Sequence, residues 1–106
     1  MIFFSTNELN SIMREVKESI EIIDRTIEIS EELYHQKSIR EACMAMKRGL
    51  NKLDNTIERI SYSKNKKKNG KNKEYVTLLE NLYVSAGKMG TVWESMELCE
   101  QLAPIS

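Results

Sequence analysis

An uninterrupted heptad pattern over residues 9–34 limits most strongly what this chain can fold into. Apolar or small residues recur there at alternating steps of four and three, at Leu9, Met13, Val16, Ile20, Ile23, Ile27, Ser30 and Tyr34. This spacing predicts an α-helix that packs lengthwise against other helices. A second stripe beside it contains Ile12, Ser19, Ile22, Thr26, Ile29 and Leu33. The combined face is too wide for one partner, so we expect this helix to contact at least two others.

Two later segments repeat the same spacing. In the second helix the repeat comprises Ile39, Cys43, Met46, Leu50, Leu53, Ile57 and Ile60, and it is flanked by the small residues Ala42, Gly49, Thr56 and Ser63. Small side chains allow a neighbouring backbone to approach closely. In the third helix it comprises Tyr75, Leu79, Leu82, Ala86, Met89, Trp93 and Met96. The pattern therefore predicts two more helices that bury one face each.

We predict an all-α fold, an antiparallel three-helix bundle of coiled-coil type, in one domain over residues 1–106. Helix 1 is expected over about 6–35, helix 2 over about 39–62 and helix 3 over about 74–103, with a flexible loop at 63–73. Helices 1 and 2 each begin at a sequence typical of a capping box, at residues 5–8 and 38–41. A tight turn is expected near residues 36–38, with one continuous helix as the alternative. Helix 3 either continues through Gly90 or bends there.

Charge and cysteine content restrict the classes of function. The 16 basic and 16 acidic residues give a net charge of zero, which predicts no general affinity for polyanions. Folding helices 2 and 3 about their loop places Met46 beside Met89. It also separates Cys43 from Cys99 by roughly 10 Å, beyond disulfide reach. No segment has the length and hydrophobicity of a membrane span, and we predict a cytoplasmic protein with reduced thiols.

One motif offers metal chemistry, and we weigh it against a structural role. Glu32 and His35 have the Glu-x-x-His spacing of di-iron bundles. A complete site needs a second such pair, and the chain contains a single histidine. No phosphate-binding loop or nucleophile motif is present. We therefore predict no enzymatic activity, no metal and no cofactor, and we interpret Glu32 and His35 as surface residues at a helix end.

The segment between helices 2 and 3 carries the sharpest local charge. It contains six lysines and no apolar residue, namely Lys64, Lys66, Lys67, Lys68, Lys71 and Lys73. Such a segment is expected to form a solubilising loop without packed structure. The alternative is a nucleic-acid contact through phosphates, which would be weak and salt-sensitive. The segment lacks the aromatic residues that stack on bases.

Apolar residues outside the heptad positions are the best indicators of a partner. They are Ile22, Ile29 and Leu33 on helix 1 and Tyr83 and Val84 on helix 3. Either they widen the faces that a three-helix core requires, or they stay open and bind another chain. We predict a non-enzymatic interaction module, of adaptor, inhibitor or secretion-chaperone type, that presents this face to another protein or to a second copy in a homodimer.

Overall fold

The three heptad segments form three long α-helices, as the sequence predicts. A computed structural model describes the backbone of residues 2–63 and 66–102 and the side chains of residues 8–63 and 68–96. Helix α1 spans Ile2–His35, α2 spans Ile39–Ser61 and α4, the predicted third helix, spans Lys73–Leu102. A single helical turn, α3, lies between α2 and α4 at Lys66–Asn69. The prediction of an all-α three-helix bundle is confirmed.

Helix α1 is the central element of the bundle because it packs along both other long helices. It runs antiparallel to α2, since Ser30 bonds the Ala42 carbonyl near one end and Glu15 pairs with Arg59 near the other. It runs parallel to α4, where the bonded pairs are Lys17 with Glu74 and Asp24 with Ser85. Helices α2 and α4 contact each other much less extensively. The result is a rod about 62 Å long and about 18 Å across.

Small residues bring α1 and α2 close together around Gly49. A Cβ atom added at Gly49 would lie 2.9 Å from Thr26 Cγ2 and 3.1 Å from Met89 Sδ, so all three long helices meet there. The sequence placed Met89 opposite Met46. The Met89 sulfur reaches Gly49, about one helical turn from Met46 on α2. The small stripe that the sequence singled out on α2 therefore includes a point of close contact between the helices.

The α1–α2 interface also contains polar side chains that bond to each other. Ser19 and Thr56 are fully buried and share a hydrogen bond, and the Ser30 hydroxyl donates to the Ala42 carbonyl at 3.3 Å. Among the described residues, no buried side-chain nitrogen or oxygen lacks a hydrogen-bond partner. These bonds offset the cost of removing the hydroxyls from water, and they keep the two backbones close.

The connection between α1 and α2 is the predicted tight turn, and it closes by backbone bonds. The Ser38 amide donates to the Leu33 carbonyl at 2.9 Å and the Lys37 amide to the Tyr34 carbonyl at 3.0 Å. This pair of bonds is a Schellman motif, in which one residue adopts a left-handed conformation. Lys37 is that residue, with φ of 66°. Ser38 is the N-cap of α2 but makes no side-chain capping bond, so the predicted capping box at residues 38–41 is not formed.

One predicted helix boundary differs from the structure, and the open question at Gly90 is answered by a continuous helix. Helix α1 begins at Ile2, so Ser5 lies inside the helix and cannot cap it as predicted. No proline or glycine interrupts residues 2–8, and the helix continues through them. Helix α4 runs through Gly87 and Gly90 without a break. The Thr91 hydroxyl donates to the Gly87 carbonyl at 3.1 Å, which is a bond between successive turns of the same helix.

Asparagines give the lysine-rich segment more structure than we predicted. Residues 66–69 form a helical turn, and buried Asn69 donates from Nδ2 to the Ser63 hydroxyl at 3.1 Å. Ser63 in turn donates to Glu8 Oε1 at 2.9 Å, which ties the segment to α1. The Asn72 side chain accepts from the Tyr75 amide at 3.0 Å and caps α4. The prediction weighed the lysines and missed these amide side chains.

The close contact at Gly49 predicts opposite effects of alanine at two glycines. Alanine favours a helix by about 1 kcal/mol over glycine. At Gly87 no atom lies within 4 Å of an added Cβ, so Gly87→Ala is expected to raise the free energy of unfolding by about 0.5–1 kcal/mol. At Gly49 the new methyl would collide with Thr26, whose branched side chain is stiff. Gly49→Ala is therefore expected to lower the free energy of unfolding by about 1 kcal/mol.

Urea unfolding followed by circular dichroism measures both effects. Adding Thr26→Ser to Gly49→Ala removes the colliding Cγ2 atom and is expected to recover part of the loss. Equal stabilisation by alanine at both glycines would contradict the close approach of α1 and α2.

The left-handed turn residue predicts a stabilising glycine substitution. A non-glycine residue in this conformation costs about 1–2 kcal/mol, partly offset by the greater freedom of glycine in the unfolded chain. Lys37→Gly is therefore expected to raise the free energy of unfolding by about 0.5–1 kcal/mol. Lys47→Gly, on the exposed side of α2, is the control and is expected to lower it by about 1 kcal/mol. A loss of stability in Lys37→Gly would contradict the turn geometry.

Candidate protein-docking grooves

The predicted partner residues on α1 lie on the outer side of the α1–α2 pair. Ile22 and Ile29 are each 42% exposed, whereas Leu33 is half-buried and packs against the core. Ile29 and Leu33 line a groove of about 290 Å³, which we call the α1–α2 groove. Its other lining residues are Glu41, Met44, Ala45 and Arg48. This surface is apolar at its centre and carries charges of both signs.

The two predicted residues on α4 lie elsewhere. Tyr83 is 71% exposed and Val84 is 58% exposed. Tyr83 lines a groove between α2 and α4, and Val84 lines neither this groove nor the α1–α2 groove. The five residues that the sequence grouped as one partner-binding set are thus distributed over separate surfaces. Helical periodicity shows which residues share a helix face, but it cannot say which helices flank each of them.

The groove between α2 and α4 is the more apolar of the two. We call it the α2–α4 groove, and its volume is about 170 Å³. It is lined by Leu53, Ile57, Ile60, Ser61, Leu79, Leu82, Tyr83 and Ala86. Ser61 is the single lining residue without an apolar or aromatic side chain. Leu53 and Leu82 are buried at its floor, while Ile57 and Tyr83 form its exposed walls.

Ile57 is the residue that sequence reasoning placed wrongly. Its heptad position predicted a core side chain, but it is 43% exposed. The reason is the unequal packing of the bundle. Small residues draw α2 towards α1, and the opposite flank of α2 is left with little cover from α4. A heptad repeat identifies the side of a helix that carries apolar residues, but not how completely its neighbours cover that side.

The aromatic residues near this groove have unequal environments. Tyr75 is buried while Tyr83 is exposed. Burial raises the pKa of Tyr75 above its ordinary value, and the charge that Tyr83 would acquire on ionisation raises it further. Neutral Tyr75 is therefore part of the folded core beside the α2–α4 groove.

A larger cavity of about 710 Å³ lies between α1 and α4, near the end of α1. Glu32 and His35 line it together with Glu28, Glu31, Tyr34, Thr91, Val92, Ser95 and Met96. Within the described residues, no three histidine, cysteine or acidic side chains come together as a group that could hold a metal ion. The lining of the cavity combines the apolar side chains of Val92 and Met96 with the acids Glu28, Glu31 and Glu32.

The lysines of the alternative nucleic-acid hypothesis are only partly described. Lys68, Lys71 and Lys73 are exposed on α3, the following turn and the start of α4. Lys64 lies outside the described residues, as do the side chains of Lys66 and Lys67. The three described lysines extend from a segment that Asn69 ties to Ser63. They lie beyond the end of the α2–α4 groove.

The described helices include none with the length and hydrophobicity needed to cross a membrane. Comparison of the chain with protein-family models, with curated proteins and with solved structures finds no significant match.

The raised pKa of Tyr75 predicts a loss of stability at alkaline pH. In the unfolded chain a tyrosine ionises near pH 10, whereas folded Tyr75 holds its proton to higher pH. The contribution of the neutral Tyr75 side chain to the free energy of unfolding is fully present below about pH 10. It is lost as the pH rises through the pKa of Tyr75 in the folded protein. Tyr75→Phe is expected to reduce the fall in unfolding free energy above pH 10, as measured by urea unfolding at a series of pH values. The exposed Tyr62 provides the control Tyr62→Phe, and an equal reduction in both variants would contradict the assignment.

Proposed function

We propose that this protein is a non-enzymatic interaction module that binds a segment of another protein in the α2–α4 groove. The observation that carries the proposal is the exposed apolar lining of that groove. Ile57 and Tyr83 form its walls, and every lining residue except Ser61 is apolar or aromatic.

The energetic reason is the apolar surface that a partner would remove from water. Full burial of one large apolar side chain is worth about 1.5–3 kcal/mol. Tyr83 adds a rigid aromatic ring with a hydroxyl that can remain at the edge of an interface. Tyrosine is enriched among the residues that dominate binding energy in protein interfaces. Ile57 and Tyr83 are therefore the two side chains expected to contribute most.

The shape of the groove favours a helical partner. Two long helices that contact each other little leave a trough for another helix, which would complete a four-helix arrangement. Binding of an amphipathic helix in an apolar groove is a common mode of peptide recognition. Adaptor, inhibitor and secretion-chaperone roles all use this mode, and they differ in the identity of the partner.

The α1–α2 groove is the second candidate surface, and Ile29 and Leu33 of the row that the sequence selected line it. Ile22 and Ile29 match Ile57 in exposure, and Met44 is also exposed there. Its central apolar area is interrupted by Glu41 and Arg48. This surface supports association with another protein or with a second copy of the chain. Nucleic-acid binding through Lys68, Lys71 and Lys73 remains the alternative of a different class.

Matched double variants separate these possibilities. Ile57→Glu with Tyr83→Glu places charges in the α2–α4 groove, and Ile22→Glu with Ile29→Glu does the same on α1. All four side chains are already exposed, so both variants are expected to keep their helicity by circular dichroism. The tagged proteins are used for affinity capture from native lysate, at high salt and with nuclease. We expect wild type and the α1 variant to recover the same protein, and the groove variant to lose it.

The other outcomes have defined meanings. If only the α1 variant fails to recover the partner protein, the binding site lies at Ile22 and Ile29 and not in the α2–α4 groove. Capture of nucleic acid at low salt, abolished when the lysines become serine, would favour the alternative function. Retention of the partner by the groove variant would contradict the proposal.

A further inference from the structure

We infer that the occupant of the α2–α4 groove is an amphipathic helix of another protein whose apolar stripe is flanked by lysine or arginine. This inference rests on the proposed function and adds the chemistry of the partner. It is carried by the acidic side chains of the two segments that line the groove.

Three carboxylates border the apolar lining. The two segments that line the groove, residues 53–61 and 79–86, contain the acids Asp54, Glu58 and Glu80, all exposed. Asp54 precedes Ile57 by three residues, and Glu80 precedes Tyr83 by three, so each acid lies on the same helix face as a wall residue. Glu58 precedes the lining residue Ser61 by three. A partner helix in the groove would place its flanking side chains beside these acids.

The one base in these two segments does not neutralise Asp54, Glu58 and Glu80, which we call the rim acids. Arg59 is turned towards α1, where it pairs with Glu15 and donates from a second nitrogen to the Ser11 hydroxyl at 2.7 Å. None of the three rim acids forms an ion pair with the described part of the chain. Within the part of the chain that the structure describes, these three acids are thus left without an opposite charge, and basic flanks on a partner complement them.

The length of the groove sets the length of the apolar stripe. From Leu53 to Ser61 the α2 axis rises about 12 Å, which corresponds to a little more than two helical turns. A partner helix needs apolar residues at positions such as i, i+3, i+4 and i+7 to cover it. Its basic residues would fall at the neighbouring positions, on either side of that stripe.

A second copy of this chain fits the rim poorly. Among its exposed apolar residues, Ile22 and Ile29 form a row along α1 that it could insert. Glu18 lies one turn before Ile22, and Glu32 lies close to one turn after Ile29, with Arg25 the single base between the two isoleucines. Docking this row in the groove would bring acids of α1 towards Asp54 and Glu80. Like charges at an interface disfavour association, so the complement is a foreign helix.

A displayed library of helical peptides tests the inference with the full-length protein. The peptides share one leucine stripe, and their flanking positions are randomised between lysine and glutamate. We expect binders to be enriched in lysine at the flanks. Asp54→Lys with Glu58→Lys and Glu80→Lys should weaken the selected peptides about tenfold, as three partly exposed charge pairs would. The same variant should enrich glutamate instead. Glu18→Lys with Glu21→Lys and Glu28→Lys on α1 changes net charge equally and should leave binding within about twofold.

Each remaining result counts against the inference. Flanks that stay random, flanks enriched in glutamate, or a failure to recover binders would overturn it. If flank charge is not selected but Ile57→Glu abolishes binding, the proposed docking groove stands and only the basic character of the partner is wrong. If the selected peptides bind Ile57→Glu as tightly as wild type, the proposed function fails as well. A homodimer that dissociates on Ile57→Glu would place a second copy in the groove and contradict the choice of a foreign helix.

Discussion

The close contact of α1 with α2 determines the shape of the molecule. Gly49 leaves no room for a side chain between α2 and Thr26, and buried Ser19 and Thr56 bond to each other along the same interface. The third long helix, α4, does not pack equally on these two helices. Helix α4 packs on α1 and reaches α2 mainly at its buried side, where Met89 meets Gly49. The bundle is therefore asymmetric, with one well-closed interface and one that is partly open.

That asymmetry gives the chain its most distinctive surface. The apolar residues of α2 and α4 that a closed bundle would bury instead line an exposed groove, with Ile57 and Tyr83 at its walls. Arg59 is held on α1, and the acids on the outer side of the groove are left without an opposite charge from the two lining segments. Hydrophobic burial would supply most of the affinity for a partner, and the carboxylates would select among apolar helices. We therefore expect specificity to depend on salt more strongly than affinity does.

Heptad spacing was sufficient to predict the fold, because the period of apolar residues fixes helix type and direction of burial. The turn at Lys37 was also predicted, from the loss of heptad phase after Tyr34. The start of α1 was wrong, since a capping sequence permits a helix start but does not stop a helix that can extend further. The groove was missed because the heptad position of Ile57 gives no measure of how far α4 lies from α2. The order in the lysine segment was missed because it depends on the bond of Asn69 to Ser63 and on the long-range bond of Ser63 to Glu8, which no local pattern reveals.

The most direct test of the account is photo-crosslinking in the native cell with a benzophenone amino acid at position 83. The same probe at positions 22 and 62 serves as a pair of exposed controls. If a partner helix occupies the α2–α4 groove, position 83 should give a discrete covalent adduct with another protein, and the two controls should give none of the same size. An adduct at position 22 with none at position 83 would contradict the central claim, and so would the absence of adducts at all three positions.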